Sequence, residues 1–414
     1  MWGIEMREVA IDVPVEPPKE LESLFLPVPK EYVEEAYKKD EFLVLVGPQH
    51  PGSGHMRLIV RVKGDVIQEV IPDPGYVHRA IEKLAENRLY IQNIPLVERP
   101  AIMDSANLNL GYVRAIEDAM EIEVPDRAKY LRTILAELCR IGTHLYDAAI
   151  LSVFLGHTTG FMYPFGIREL ICEALVKMTG ARFTSSFIIP GGVRRDVEKE
   201  TLAWIYSATF AIERRLKSFE RIFIKNPTVI ARLKEVGVLS KKEAIEFGVV
   251  GPFLRASGVE YDARKVEPYE AYDRVDWDIV VADEGDSYSR LLVRANEIGQ
   301  SLKIIRQCIT DIPEGKVISD QICEGNDIRG EFFDKLADIV LPTGEYTTIT
   351  EAGRGSVIFT IVSDGESNVP YRLRIVTPGW LYLRGFVESL KGERLADLQA
   401  IYGSFGYFPP EADR

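Results

Sequence analysis

Cysteine and histidine are scarce in this chain, with four of the first and five of the second among 414 residues. Cys139, Cys172, Cys308 and Cys323 stand far apart, none within three residues of another, so there is no C-x-x-C metal or redox motif. Cys139 and Cys172 fall on apolar helical patterns, where a buried free thiol is expected. The alternative, one metal cluster assembled from all four separated thiols, asks much more of the fold. A reducing, cytoplasmic setting fits this usage. A basic surplus is lacking too. The formal net charge of −13 speaks against a nucleic-acid partner or an anionic membrane surface, since either needs a basic face. The N-terminal region has no basic segment followed by an apolar run, so secretion is not expected. The longest near-continuous apolar stretch, Ala148 to Leu155 broken only by Ser152, is far too short to span a bilayer. Membrane association is therefore expected to be peripheral and to run through partners.

With 46% hydrophobic residues over this length, the chain can bury a large core. Residues 1–40 mix Pro, Glu and Lys with scattered apolar anchors and read as an extended N-terminal arm. Residues 41–414 read as one domain. The apolar run Phe42 to Val46 has strand character. Arg57–Val62 and Val66–Ile71 flank Lys63-Gly64-Asp65, a hairpin signal. The middle is helical by spacing: His78–Gln92, Leu108–Ala119, and a long run from Asp126 to about Leu155. That run repeats Leu131, Ile134, Leu135, Leu138, Ile141, Leu145 and Ala149 at three- and four-residue steps, as a central strut would. Further helices are expected at Ile167–Met178, Val197–Ile224, Tyr288–Ile309 and Phe332–Ala337. Strands return at Ser356–Val362 and Tyr371–Val376 around a turn-rich loop. The fold class is α+β, a helical core bracketed by antiparallel β elements.

Chemistry-bearing residues cluster in glycine-rich loops. The segment Gly47-Pro48-Gln49-His50-Pro51-Gly52-Ser53-Gly54-His55 holds two of the five histidines. Imidazoles on such a loop can supply a proton near neutral pH. On pattern alone, a surface turn with solvated histidines is the better account. Arginine stands beside glycine in Gly191-Gly192-Val193-Arg194-Arg195-Asp196, in Arg255-Ala256-Ser257-Gly258, and in Glu351-Ala352-Gly353-Arg354-Gly355. That placement suits close approach to an anion or a partner backbone, although caps and structural ion pairs use the same residues. Arg99 is also notable, as is His144, which lies within the apolar strut where a satisfied core histidine is the usual explanation.

Taken in order, Gly47-Pro-Gln-His-Pro, Asn87–Asn93, Gly191–Asp196, Leu254–Val259, Glu351–Gly355 and Val362–Gly365 resemble one family over nearly the full length. That family is the large, 49-kDa-type subunit of respiratory complex I, itself related to the large subunit of membrane-bound nickel–iron hydrogenases. The resemblance implies the hydrogenase large-subunit fold. In hydrogenase members two C-x-x-C pairs hold nickel and iron. The matching positions here are Ala101, Asp104, Phe408 and Glu411, so no metal site is expected and the old pocket should be an empty cavity. In quinone-reducing members a tyrosine and a loop histidine hold the headgroup, and an aspartate orients the histidine. Those positions read Ile102, His55 (after a one-residue gap) and Phe154.

The resemblance also implies that Arg99 and His144 lie beside the terminal iron–sulfur cluster of a neighbouring small subunit. This combination is most similar to the large subunit of the archaeal membrane-bound sulfane sulfur reductase. It implies an oxidoreductase subunit that binds no cofactor alone and receives electrons from a 4Fe–4S cluster on the adjacent iron–sulfur small subunit. A 30-kDa-type subunit and membrane-arm subunits are the other expected partners, with ferredoxin as donor and ion translocation as the coupled work. The expected location is the cytoplasmic side of the cell membrane. His50 and His55 are candidate proton donors, and Arg354 or Arg99 would hold an anionic sulfur chain. The alternatives are a quinone- or phenazine-reducing dehydrogenase subunit and a non-catalytic coupling scaffold.

Overall fold

The computed structural model describes residues 28–49, 55–322, 335–406 and 409–414. His50, Cys323, Phe408 and the first half of the helix expected at 332–337 lie outside those residues, and 335–337 is helical. Within the stretch expected to be extended, Lys30–Lys38 instead forms a helix, α1. Its glutamates explain the difference. Glu35 pairs with Arg61 at 2.8 Å and with Lys39 one turn on, so the helix is held against the first sheet by charge.

That sheet is β1 (Phe42–Val46), β2 (Arg57–Lys63) and β3 (Val66–Asp73), an antiparallel meander in sequence order. Its buried face, including Leu58, Val60, Val62, Ile67 and Val70, forms a second hydrophobic cluster with Tyr382, Phe386, Leu398, Tyr402 and Phe405. The sheet at the start of the chain is thus glued to residues near its far end.

The larger core is built around α3 (Asp126–Phe154), which follows α2 (Ser105–Met120). At 29 residues α3 is about 44 Å long. Pro125 precedes it and Asp126 favours its positive end. It packs against α4 (Thr158–Thr179), α6 (Ser287–Asp311) and α7 (Leu398–Phe405), while α5 (Lys199–Phe219) covers α4 and α6. A π-helical turn, Glu220–Ile224, ends α5. The last sheet is β4 (Gly344–Ala352), β5 (Gly355–Ser363) and β6 (Arg372–Val376), again antiparallel and in sequence order.

The structure departs from the expected elements in two further places. His78–Gln92 is not one helix: Ala80 takes a left-handed φ of 52°, leaving a short helix at Ile81–Ala85 and a 3-10 turn at Tyr90–Asn93. Strand β4 has no counterpart among the expected strands, because its core-facing residues include Thr348 and Thr350 rather than aliphatic side chains.

Helix α2 lies directly on this last sheet at Gly111. The Thr348 hydroxyl donates to the Gly111 carbonyl at 2.7 Å, and Arg114 donates to the Ile349 carbonyl at 2.8 Å. A Cβ at Gly111 would strike the Thr350 hydroxyl and come within 2.8 Å of the Phe359 ring. Gly111→Ala is therefore expected to destabilise the protein by about 1–3 kcal/mol through overpacking. A lowered thermal midpoint would show it, and an unchanged one would mean that the seam is loose.

Candidate functional site

Helix α3 buries Arg132, Glu137, Arg140, His144 and Asp147. Buried charges persist when they are paired and hydrogen-bonded, and each of these finds a partner. Arg132 meets Glu117 at 2.5 Å and Glu270 at 3.0 Å. Arg140 donates to the Ala352 carbonyl at 3.0 Å and also to the Glu351 carbonyl. The Glu351 carboxylate accepts from Arg255 at 2.8 Å and from the Ser356 hydroxyl at 2.7 Å. Arg255 reaches on to one Glu297 oxygen at 2.7 Å, while the other faces His144 Nε2 at 2.8 Å. The end of β4 is thereby tied to the middle of α3.

The turn after β4 is only two residues long, Gly353 and Arg354, since Ala352 pairs with Gly355. The Gly353 N–H donates to Asp104, and a Cβ there would crowd Thr143 at 3.1 Å. The Arg354 carbonyl passes so close to Gly251 that no side chain fits at that position. Held this way, Arg354 is 3% exposed and points inward. Its Nη2 donates to Asp147 at 2.7 Å and its Nη1 to Glu411 at 2.5 Å, from the short helix α8 (Pro409–Asp413). Burial opposes the guanidinium charge, but Asp147 and Glu411 outweigh it and keep the group protonated well above its usual range. Glu411 behaves differently. Burial, with Asp147 and Asp104 adding to it, outweighs the Arg354 contact and lifts its carboxyl to about 7.

Where an empty cavity is expected, the described residues place a guanidinium between carboxylates. Of the four positions matched to thiolates, Ala101, Asp104 and Glu411 are described and buried, and the guanidinium of Arg354 occupies the space beside Glu411. The donor set is carboxylate and guanidinium, which suits neither nickel nor an iron held by thiolates. Among the described residues, no group of three or more His, Cys, Asp and Glu side chains is placed to hold a metal ion.

The other candidates are scattered. His55 is exposed at the head of β2 with φ 76°. Arg99 is exposed, its Nε donating to the Pro95 carbonyl at 3.2 Å. His144 is fully buried, and burial lowers its pKa despite the Glu297 contact. Arg99 and His144 are thus in opposite environments. Next to Arg99, Glu98 is buried and its carboxyl is pushed up to about 7, mainly by burial. It accepts from the Ser186 N–H at 2.9 Å and from Asn109 at 3.2 Å. Asp147 carries no motif of its own, and its one sequence signal is its place one helical turn beyond His144. Glu411 and Asp104 stand out in the sequence only as positions that lack a thiolate.

A long buried helix between small antiparallel sheets matches the fold of the 49-kDa and nickel–iron hydrogenase large-subunit type. The pattern of the family described as "Respiratory-chain NADH dehydrogenase, 49 Kd subunit" matches residues 155–414. A D-type subunit of NADH-quinone oxidoreductase from Thermodesulfovibrio yellowstonii is 36% identical, over 90% of this chain and 97% of that protein. The D-type subunit of the same enzyme from Geotalea uraniireducens is 38% identical, over 89% and 97%. Among solved structures, a chain of the membrane-bound sulfane sulfur reductase, an archaeal respiratory membrane complex, superposes with a TM-score of 0.84. It is 34% identical, over 91% of this chain and 99% of that one. The chain belongs to the 49-kDa complex I subunit family, and these relatives are subunits of oxidoreductase complexes. Among the described residues no helix is long and apolar enough to cross a membrane.

Arg354→Met leaves Asp147 and Glu411 facing each other without their cation, at an expected cost of about 3–5 kcal/mol. Chemical denaturation measures it, and a loss below about 1 kcal/mol would show that the cradle relaxes freely. The raised carboxyl of Glu411 carries a pH signature. Its folded value of about 7 exceeds the ordinary 4.5, so its stabilising contribution is full below 4.5 and lost as pH rises through about 7. That share amounts to about 3 kcal/mol. Glu411→Gln should flatten the fall in stability between those pH values, and an unaltered slope would refute it.

Proposed function

We propose that this chain is the catalytic-interface large subunit of a sulfane sulfur (polysulfide) reductase complex fed by ferredoxin and coupled to ion translocation. The observation that carries the reading is the Asp147–Arg354–Glu411 cradle, built where nickel-binding relatives are expected to place thiolates. The likeness to the sulfane sulfur reductase chain supports it. A partner's iron–sulfur cluster would supply single electrons at the subunit boundary, close to Arg99 and Glu98. Cleaving a sulfur–sulfur bond to two thiols takes two electrons and two protons. Glu411, protonated near neutral pH, is a proton source at the cradle. Once Glu411 is neutral, Arg354 Nη1 no longer faces a second carboxylate and can hold an anionic sulfur chain. His55, and His50 beyond the described residues, would protonate the leaving thiolate from the loop side.

Quinone reduction is the second reading, favoured by the relatives named as NADH-quinone oxidoreductase subunits. Of the three positions expected to serve a quinone, His55 keeps an imidazole, but the tyrosine and aspartate positions oppose it. Ile102 is a half-exposed hydrocarbon, and Phe154 packs its ring 5.7 Å from Tyr402. Neither offers a hydrogen bond to a carbonyl oxygen.

The intact complex, given reduced ferredoxin, should reduce polysulfide and leave quinone and protons essentially untouched. Arg354→Lys, which cannot bridge both carboxylates, should lower polysulfide turnover at least about tenfold, or ~1.4 kcal/mol in the barrier. Quinone turnover with polysulfide inert would overturn the reading, and full turnover in Arg354→Lys would remove the cradle from the chemistry.

A further inference from the structure

A small cavity lies between α3, the end of α5 with its π-helical turn, and α6, and its Arg294 comes within 3.7 Å of the cradle's Asp147. Its volume is about 200 Å³, below the ~300–1,000 Å³ of ordinary ligand pockets. Most of its wall is apolar, with Leu145, Ala148, Leu216 and Ile298 among the lining residues. Of the polar side chains that also line it, which include Glu213, Lys217, Glu220 and Asn296, only His144 and Arg294 are buried, at 0% and 2% exposed.

Neither is satisfied by the protein. Arg294 gives its Nη1 to the Ser404 carbonyl at 2.6 Å, but its Nη2 has no hydrogen-bond partner among the described residues. Its nearest carboxylate, Asp147, stands 3.7 Å from Nε and is already engaged by Arg354. Accordingly burial, only partly offset by Asp147, lowers the pKa of Arg294. A buried guanidinium with an idle donor is costly. His144 supplies the complementary group. Burial keeps its ring neutral, and Arg255 with His144 keeps Glu297 ionised, so Nε2 must be the donor in the 2.8 Å contact. Its Nδ1 is then a lone-pair acceptor, and among the described residues it too has no partner. At the entrance Glu213 and Glu220 are neutralised by Arg306 and Lys225, at 2.6 and 2.8 Å. Lys217, which also lines the entrance, adds positive charge, so the approach does not repel an anion.

From this we infer that the cavity is a binding site for a small monoanion that retains one hydrogen-bond donor. The anionic end would pair with Arg294 and the remaining O–H or S–H would be given to His144 Nδ1. A short 2-hydroxycarboxylate and a hydrosulfide or hydrogen polysulfide anion share that chemistry. The site stands on the cavity's own groups and does not depend on the function proposed for the cradle.

The test titrates the intact complex with glycolate, acetate and hydrosulfide separately, in the parent and in Ala295→Leu. Ala295 lines the cavity from a partly exposed position, so leucine fills the space while the charged groups stay in place. Saturable binding of glycolate or hydrosulfide is expected, weakened about tenfold or more in Ala295→Leu. Acetate, which lacks the donor, should bind about tenfold more weakly than glycolate. Glycolate binding alone would assign the site to carboxylates, and hydrosulfide binding alone to sulfur anions. Absence of saturable binding by both, acetate and glycolate binding alike, or identical binding in Ala295→Leu would overturn the inference. A density map of the liganded complex with nothing between Arg294 and His144 would overturn it as well.

Discussion

Arg140 holding the carbonyls of Glu351 and Ala352 is the contact on which the interior arrangement depends. It fixes the end of a β-strand against the middle of the central helix, in a place with no solvent to substitute for either partner. Everything beyond it follows from geometry. The two-residue turn can leave the strand in one direction only, with the Gly353 amide on Asp104 and the Arg354 side chain thrust inward. Glu351 does double service, since its backbone is held by Arg140 and its carboxylate by Arg255. Removing either arginine leaves an anion or a carbonyl stranded away from water.

Charge compensation in this interior is shared rather than paired off. Glu297 serves Arg255 and His144 together, and Asp147 serves Arg354 while Arg294 stands at the edge of its reach. Sharing produces groups at the extremes. Glu297 is held ionised far below the ordinary carboxylate range, whereas Glu411 and Glu98 are lifted toward neutrality by burial. Perturbed carboxyls of this kind collect where proton chemistry is done. The same imbalance leaves Arg294 short of a counter-charge, and that shortage gives the small cavity its character.

Much of the scaffold is legible in the sequence because it obeys periodicity. The strut Asp126–Phe154 and the hairpin Arg57–Asp73 show the spacing of a helix and of paired strands, and they lie where that spacing puts them. Threonines on its inner face hide the strand Gly344–Ala352, and the break at Ala80 has no signal in residue type. The candidate site is legible only in part. Arg354 stands out beside its glycines, but the partners that define it are 207 and 57 residues away and carry no local motif. His144 is the core histidine that the strut suggests, yet nothing near it in sequence points to Glu297. Spacing reports which face of an element is buried. It does not report which distant charge meets it there.

The long range of these ties bears on how the molecule acquires its shape. Contacts spanning more than two hundred residues, such as Arg140 to Ala352 and Asp147 to Arg354, carry a loop-closure cost that must be met before the contacts offset it. Until the last sheet docks, the central helix must carry its arginines and aspartate exposed to water, where they cost nothing. A collapsed intermediate that closed around that helix too early would trap bare charge. The buried ions therefore make compaction of this interior favourable only where each charge meets its partner as water leaves.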